Sequence, residues 1–329
     1  MASPNSVFTE IVSTTYREHK KMLADNVTNN NRLLQRLNSK GKKDLLDGGY
    51  KIAHPLEYAE NSTYQRYSAY QVLNVSASDV ISTAEFDWKQ AAVHVTASGL
   101  ELRQNSGKNA IMKLAKQRMK NAFSTAANSM SEDAYSDGTA SNQINGLQAL
   151  VADAGTGTVG GINSSTYTFW KNAVQDANSP LQGGSAITPS ASTIQSLMLP
   201  LWLEVSRGTD VPDLIVCSND YYTFYEESLT DYKRYGTNST LNGGALALKY
   251  KDADVFFDGG TAHGSGIPDS HMYFLNTDYL GMCVHKDADW EEVGEQRSVN
   301  QDAVVIPIIW QGNMVCSNRS LQGVLLDNS

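Results

Sequence analysis

The stretch Gly107–Ser136, GKNAIMKLAKQRMKNAFSTAANSMSEDAYS, decides the fold, because its apolar residues recur every three or four positions. That spacing is the period of an amphipathic α-helix. No proline interrupts the stretch, Asn105 or Ser106 can cap its start, and Gly138 stands just past its end. The apolar side is formed by Ile111, Ala115, Met119, Ala122, Ala126, Met130 and Ala134.

A helix of this length would cross a whole domain. It would be roughly 45 Å long at about 1.5 Å per residue, whereas a compact globule of this chain length has a radius of gyration of about 20 Å. The helix would therefore run nearly from edge to edge. Its small apolar residues would let a sheet or another helix approach closely. The pattern therefore predicts one long helix that crosses the domain and supports it.

Composition describes a folded, acidic chain. Of its 329 residues, 41% are hydrophobic and 19% are charged, and the net charge is −9. The length suggests two domains or one elaborate domain. The negative charge argues against a general DNA-binding protein but leaves room for one basic surface. Three single cysteines, without a CxxC pair or an apolar run in residues 1–31, favour reduced thiols in a cytoplasmic setting. No stretch is apolar enough to span a bilayer.

Residues 1–54 form a polar lead-in with a basic part. Between Arg32 and Lys51 there are six cations and two acidic residues, Asp44 and Asp47. Leu33, Leu34 and Leu37 in this part predict a short helix. We interpret the lead-in as a partly extended basic arm, and the alternative is a solvated surface segment.

The segment Glu57–Gly99 is rich in tyrosine and β-branched residues. Two such runs flank a small polar turn near Ser76–Asp79, which predicts a long hairpin. Its tyrosines are too many half-polar aromatic side chains for one small buried face. An isolated two-stranded ribbon is also only marginally stable in water. The hairpin therefore needs a partner surface, and tyrosine suits such a contact. The tyrosines concerned are Tyr58, Tyr64, Tyr67 and Tyr70.

Gly155, Gly157 and Gly160 fit the pattern G-x-G-x-x-G, which in a nucleotide-binding protein lies between a strand and a helix. Here the residues after the glycines have no helical period, so a flexible turn explains them better than a nucleotide site. The segment Ser179–Ser192 has the composition of a linker.

A second unit of mixed α and β structure follows the linker, consistent with an α+β domain. The patterns predict helices over 192–206 and 219–229 and strands over 213–217, 255–257 and 272–275. Closing strands are predicted over 303–310 and 314–317, with a tight hairpin turn at Gly312-Asn313 between them.

No catalytic motif emerges, so the sequence predicts neither an enzyme nor a cofactor. The hydrolase elbow and the phosphate-binding loop are absent. His263 and His271 flank a glycine-rich loop and could bind a metal with Asp258 or Asp269, but scattered surface histidines are the commoner case. We expect no metal site.

Five blocks in order give the chain a family resemblance over about residues 55–172. The chain resembles the major capsid protein of tailed bacteriophages in YAENSTYQRYSAYQVLNV, AEFDWKQAAVHVTASGLE, the long helix, INGLQALV and GGINSSTYTFWKN. The resemblance implies the α+β Hong Kong 97-type capsid fold. This fold has an N-terminal arm, an extended hairpin called the E-loop, a peripheral domain crossed by a long spine helix, and an axial domain.

Carried over by position, the resemblance divides the chain into five parts. Residues 1–57 would be the arm, 58–98 the E-loop and 99–189 the peripheral domain with the spine helix over 107–136. Residues 190–290 would be the axial domain, and 291–329 the strands that return to the peripheral domain. The residue patterns themselves predict the long helix, the hairpin, the linker and the second unit of this division.

The implied function is a self-assembling icosahedral phage head that encloses double-stranded DNA. Its partners would be other copies in hexamers and pentamers, a portal, a separate scaffolding protein and packaged DNA held by non-specific contacts, without a membrane. Assembly would take place in the host cytoplasm, and the product would be a virion capsid. The alternatives are an encapsulin-like compartment that encloses proteins and, more remotely, a nucleotide-binding enzyme that uses Gly155–Gly160.

Two sets of residues are predicted to act in assembly and DNA contact. The expected interface on the E-loop is Tyr64, Arg66, Tyr67 and Tyr70. The cations expected to face DNA are Arg32, Arg36, Lys40, Lys42, Lys43, Lys113, Lys116 and Lys120. Some shells of this fold join subunits by an isopeptide bond from an E-loop lysine. Residues 57–87 contain no lysine, so we do not expect that bond here.

Overall fold

The computed structural model describes residues 31–76, 79–104, 108–229, 248–258, 266–294, 296–297 and 302–328; for 102–104, 108–116 and 297 it describes the backbone alone. The helices are α1 (Arg32–Ser39), α2 (Gly99–Gln104), α3 (Lys108–Asp133), α4 (Leu147–Leu150), α5 (Ile194–Val205) and α6 (Asn219–Ser228), with a 3-10 turn at Thr168–Trp170. The first strands are β1 (Lys43–Leu46), β2 (Ile52–Glu57), β3 (Ile81–Phe86), β4 (Lys89–Ser98), β5 (Thr158–Val159), β6 (Ile162–Asn163), β7 (Ala173–Asp176) and β8 (Leu214–Cys217). The remaining strands are β9 (Leu248–Tyr250), β10 (Ala253–Phe257), β11 (His271–Leu275), β12 (Leu280–His285), β13 (Glu291–Glu292), β14 (Gln296–Arg297), β15 (Ala303–Cys316) and β16 (Gly323–Leu326).

The long helix α3 confirms the prediction of a helix that crosses the domain. It has 26 residues, about 39 Å at 1.5 Å per residue. From residue 117 onward its burial follows the predicted period: Met119, Phe123 and Met130 are buried, while Lys120 and Thr125 are exposed. Its buried side packs against β4. The helix ends three residues earlier than predicted, and the predicted caps at 105 and 106 lie outside the described residues.

The first sheet has the order β1-β12-β15-β13, and β14 and β4 also pair with β15. The longest ladder joins β4 and β15 antiparallel, from Ser98 opposite Ala303 to Lys89 opposite Gly312. Val95, Ala97, Ile306 and Ile308 on these strands are buried. This sheet and α3 enclose the larger hydrophobic core.

The second sheet has the order β7-β16-β11-β8-β10-β9 and carries α5 and α6. All four residues of β8 are buried, as expected of a central strand. Trp202, Tyr225 and Phe274 belong to a second core cluster between this sheet and its helices. The predicted helices and strands of the second unit are confirmed, as is the short helix of the lead-in, now α1.

The predicted hairpin exists, but its strands and turn differ from the prediction. Its arms are β2 and β3, paired antiparallel from Ile52 opposite Phe86 to Glu57 opposite Ile81. The described residues between them, 58–76 and 79–80, form a long loop without strands, which we call the hairpin loop. The second predicted run continues into β4, which pairs with β15 instead of the hairpin. Alternating apolar and polar residues predict an extended backbone, but they do not determine which strand it pairs with.

The predicted tight turn at Gly312-Asn313 is wrong, because β15 runs unbroken through both residues. Gly312 is needed for a different reason: a Cβ on it would lie 2.5 Å from the carbonyl oxygen of Cys283. Asn313 is fully buried and donates from its side chain to the Asp87 carbonyl at 2.8 Å. Gly312 and Asn313 have the composition of a turn, but they occur in this strand for reasons of close packing and a buried hydrogen bond.

Candidate assembly and nucleic-acid-facing surfaces

The hairpin loop projects from a fixed base. Ile52 and Phe86, the pair farthest from the loop, are both 1% exposed. At the loop entrance, the Tyr58 ring stacks on Phe169 with 5.5 Å between ring centroids. Glu85 also donates its backbone N–H to the Gly160 carbonyl at 2.9 Å. The base is therefore packed into the body while the loop extends beyond it.

The loop itself exposes the side chains that the sequence singled out. Tyr64, Tyr67 and Tyr70 are 83%, 68% and 102% exposed, and Arg66 is also exposed. Together with Val72, Leu73 and Val75, the three tyrosines form a run of exposed large side chains that we call the loop patch. Large exposed apolar patches are typical of interaction sites.

The loop patch is not covered by the body of its own chain. Hydrogen bonds within the loop shape its backbone: Gln65 donates to the Val72 carbonyl at 3.2 Å, and Asn74 accepts from the Ser76 amide at 3.0 Å. A groove of about 440 Å³ lies at the loop base, between Tyr58 and the end of α5. The tyrosines stay exposed beside it, so the loop does not fold back into this groove.

Two cations of the predicted DNA-facing set instead tie α1 to the second sheet. Arg36 lies 3.1 Å from Asp213 and 3.5 Å from Asp254, and Lys40 lies 3.0 Å from Asp213. Burial raises the pKa of Asp213, but hydrogen bonds from Thr277 and Lys40 outweigh it, so the pKa lies below its usual value. The Asp213 carboxylate is therefore ionised and compensates these cations.

Lys42 and Lys43 are paired as well. The Lys42 ammonium lies 3.8 Å from Asp278, and the Lys43 ammonium lies 2.6 Å from Asp289. That these two lysines, with Arg36 and Lys40, face DNA stays a prediction, but each of the four is paired with a carboxylate of the same chain. A cation count along the chain cannot reveal this, because every partner carboxylate lies far away in sequence.

The remaining predicted cations differ in how far they are buried. Arg32 donates to the Gln35 side chain at 3.1 Å and is half-buried. Lys120 is exposed on α3. Lys113 and Lys116 lie on the same helix, but their side chains fall outside the described residues.

Sequence reasoning missed the buried polar groups that join segments far apart in sequence. Arg319 is fully buried, and its guanidinium donates to the carbonyls of Leu150 at 2.6 Å and Trp170 at 3.1 Å and to the Asn172 side chain at 2.8 Å. A buried arginine must satisfy its donors in this way. No local pattern around residue 319 signals its burial.

Tyr135 is a second buried polar anchor that the sequence did not suggest. It follows α3, and its hydroxyl donates to the Asp258 carboxylate just past β10. The side chain of Asn31 bonds the Ser131 hydroxyl at 3.0 Å. The end of α3 is thus fixed to the second sheet and to the start of α1.

The glycine-rich stretch lacks the context of a nucleotide site. Gly155, Gly157 and Gly160 all have positive φ and shape the turns around the two-residue strands β5 and β6. No helix begins within them in this described stretch. The structure therefore contradicts the remote reading as a dinucleotide-binding loop.

The histidines and cysteines form neither a metal site nor a reactive pair among the described residues. Within the described residues, no group of three or more histidine, cysteine or acidic side chains is placed to hold a metal ion, and His263 lies outside them. His54 contacts the Cys283 sulfur at 3.5 Å, but burial lowers the His54 pKa and raises that of the thiol to about 12. The pair is therefore not an activated thiolate–imidazolium couple.

Across the described helices, none combines the length and apolar character needed to cross a bilayer.

Comparison with known proteins gives matches at the level of structure. No protein-family model and no curated protein sequence matches the chain. The cyanophage A-1(L) capsid asymmetric unit is similar at TM-score 0.58 and 15% identity, covering 87% of this chain and 90% of that one. The satellite phage P4 procapsid, in a structure that includes the size determination (Sid) protein, is similar at 0.52 and 8%, covering 93% and 90%. The capsid of an empty GTA particle is similar at 0.51 and 10%, covering 89% and 90%.

These similarities span nearly the whole of each chain, so they concern the complete architecture and not one shared motif. They agree with the mixed helix and strand content of this chain. Identities of 8–15% establish a shared fold and leave function to be argued from the surfaces. The chain has the α+β Hong Kong 97-type fold of tailed-phage capsid proteins.

Proposed function

We propose that the chain is a major capsid protein of a tailed bacteriophage, and that many copies assemble into an icosahedral shell around double-stranded DNA. The observation that carries this proposal is the loop patch: a projecting loop with Tyr64, Tyr67 and Tyr70 exposed, on a chain with a capsid fold. Exposed tyrosines next to Arg66 match the composition of interface hot spots.

A closed ring of copies requires a head-to-tail contact, in which the loop patch of one copy binds a different surface of the next. Such a contact generates rings when the rotation closes. Hexamers and pentamers are closed rings of this kind, so Tyr64, Arg66, Tyr67 and Tyr70 would lie between adjacent subunits.

An encapsulin-like compartment is the less favoured alternative. It would use the same fold and enclose proteins instead of DNA. The similar structures described above are capsids and a procapsid, which supports a phage head. Genes for a portal and a terminase beside this one would separate the two functions, since a compartment has no use for either.

The proposal keeps the five-part division of the chain and ranks the cations that would contact DNA. The arm, E-loop, peripheral domain, axial domain and return strands would take the residue ranges given by the resemblance. Of the predicted DNA-facing cations, Lys120 is exposed, whereas Arg36, Lys40, Lys42 and Lys43 are paired within the chain and would neutralise DNA phosphates less effectively. The portal, a separate scaffolding protein and assembly in the host cytoplasm belong to the proposal as well.

The test is to express the chain and the double variant Tyr67→Ala/Tyr70→Ala and to count closed shells by electron microscopy. Each lost tyrosine contact costs roughly 1–2 kcal/mol. For two contacts per subunit, the concentration needed for assembly rises roughly 30- to 700-fold, at tenfold per 1.4 kcal/mol. Both side chains are exposed in the single chain, so its free energy of unfolding should change by less than about 0.5 kcal/mol.

Tyr50→Ala is the matched control, because Tyr50 is 94% exposed but lies outside the hairpin loop. It should leave the shell yield unchanged. Normal shells from the double variant would refute the interface role of the loop patch. An unfolded double variant would show instead that these tyrosines belong to the core.

A further inference from the structure

His271, the first residue of β11, has an oxygen acceptor at each ring nitrogen. Its Nδ1 lies 2.7 Å from the Asp269 carbonyl oxygen, and its Nε2 lies 3.4 Å from Oδ2 of Asp153. A carbonyl oxygen and an ionised carboxylate can only accept hydrogen bonds. Nε2 has no hydrogen-bond partner among the described residues, so its contact with Asp153 is a charge contact. A doubly protonated ring suits this arrangement best, because it donates from Nδ1 and places its positive charge beside the carboxylate.

Asp153 belongs to a different part of the molecule. It follows α4, and Gln148 of that helix donates to its Oδ2 at 3.2 Å. The helix is bonded to the end of α3, since Leu147 donates its N–H to the Ala134 carbonyl at 2.8 Å and Ala149 donates to the Ser136 carbonyl at 3.2 Å. The His271–Asp153 pair thus joins the end of the long helix to the second sheet.

The surroundings make the pair sensitive to charge. The two side chains are only 14% and 31% exposed, and Oδ1 of Asp153 has no hydrogen-bond partner in the described part of the chain. Tyr273 places its ring 6.1 Å from the imidazole, and its buried hydroxyl has no partner within the described residues. Asp220 of α6 faces the same site and accepts from the amide and hydroxyl of Ser270 at 3.1 and 2.9 Å.

We propose that His271 and Asp153 form a proton-dependent latch between the end of α3 and the second sheet. The latch is closed while the imidazole carries two protons. After one proton is lost, Nδ1–H stays on the Asp269 carbonyl, and the Nε2 lone pair then faces the Asp153 carboxylate. Two acceptors in contact repel each other, so the junction loosens. The inference concerns a single chain and does not depend on assembly.

The pKa directions define the pH window of the latch. Burial lowers the pKa of His271, but the Asp153 carboxylate and the Asp269 carbonyl outweigh burial and raise it above its ordinary value. Burial raises the pKa of Asp153, but hydrogen bonds from His271 and Gln148 outweigh it and lower the pKa. A raised histidine pKa gives stability that is lost as pH rises through it, and a lowered aspartate pKa gives stability that is lost as pH falls through it. The latch therefore holds between the two values.

The first measurement is ¹⁵N NMR of the imidazole nitrogens in the full-length, unassembled chain, titrated through neutral pH. We expect the titration midpoint of His271 to lie above that of a model histidine peptide, with both ring nitrogens protonated below that midpoint. In Asp153→Asn the midpoint should fall. Asp47→Asn is the matched control, because it removes the same charge from an 82% exposed side chain, and it should leave the midpoint unchanged.

The second measurement follows hydrogen exchange at the Leu147 and Ala149 amides, which bond to the end of α3. Their protection should drop at the pH where His271 titrates, beyond the ordinary rise of exchange with pH. That additional drop should be absent in Asp153→Asn. A His271 midpoint at or below that of the model peptide in the unchanged chain overturns the latch even if the variant does not fold. So does a drop in protection that persists in Asp153→Asn.

Discussion

Replacement of Arg319 by methionine should destabilise the chain strongly while leaving the exposed surface intact. Methionine nearly fills the volume but donates nothing, so the Leu150 and Trp170 carbonyls and the Asn172 side chain each lose a charge-assisted hydrogen bond. An unsatisfied buried acceptor costs about 1–3 kcal/mol.

Part of that cost is offset, because no carboxylate among the described residues pairs with the buried guanidinium. Burial lowers the pKa of Arg319, which reflects the unfavourable desolvation of its charge. Removal of a buried charge recovers several kcal/mol. We therefore expect a net loss of about 3 kcal/mol in the free energy of unfolding.

Thermal unfolding followed by circular dichroism or calorimetry is the assay. At about 2–4 °C per kcal/mol, Arg319→Met should lower Tm by roughly 6–12 °C. Arg207→Met is the control, since Arg207 is exposed and has one long hydrogen bond of 3.4 Å to Ser320; its effect should stay within about 0.5 kcal/mol. If Arg319→Met unfolds with the unchanged chain, then the guanidinium is not an anchor and the argument fails.

Three further expectations follow from the packing and charges. Asp213→Asn should reduce the free energy of unfolding at neutral pH by about 1–2 kcal/mol, because its bonds to Arg36 and Lys40 are weakened. Because the pKa of Asp213 is lowered, the unchanged chain should lose stability as pH falls through that pKa, and the variant should lose less. Equal acid sensitivity of the two proteins in urea titrations would contradict this. Gly146→Ala should cost about 1–3 kcal/mol, because its Cβ would clash with the Ser136 backbone nitrogen; a stability equal to that of the unchanged chain would show that the backbone relaxes there. Small-angle scattering of the single chain should give a radius of gyration above the roughly 20 Å of a compact globule, and a value at that limit would mean that the hairpin loop and the arm fold back.

Much of the local structure could be predicted because it depends on neighbours in sequence. The period of three to four apolar residues in α3 reflects one helix face, and burial of Met119 and Met130 beside exposed Lys120 confirms it. The excess of tyrosines over available buried surface likewise predicted an exposed loop patch. These signals need only composition and spacing within about twenty residues.

What the sequence could not decide is which distant groups meet. β4 was predicted as extended, but its pairing with β15 depends on the tertiary fold, as does the unbroken strand at Gly312. The cations of the lead-in looked free until the fold brought carboxylates to them. Arg319 and His271 carried no local signal either, since burial and partner geometry exist only once remote segments pack together. Local periodicity is set by backbone geometry, whereas electrostatic compensation is set by three-dimensional contact, and the sequence records only the first directly.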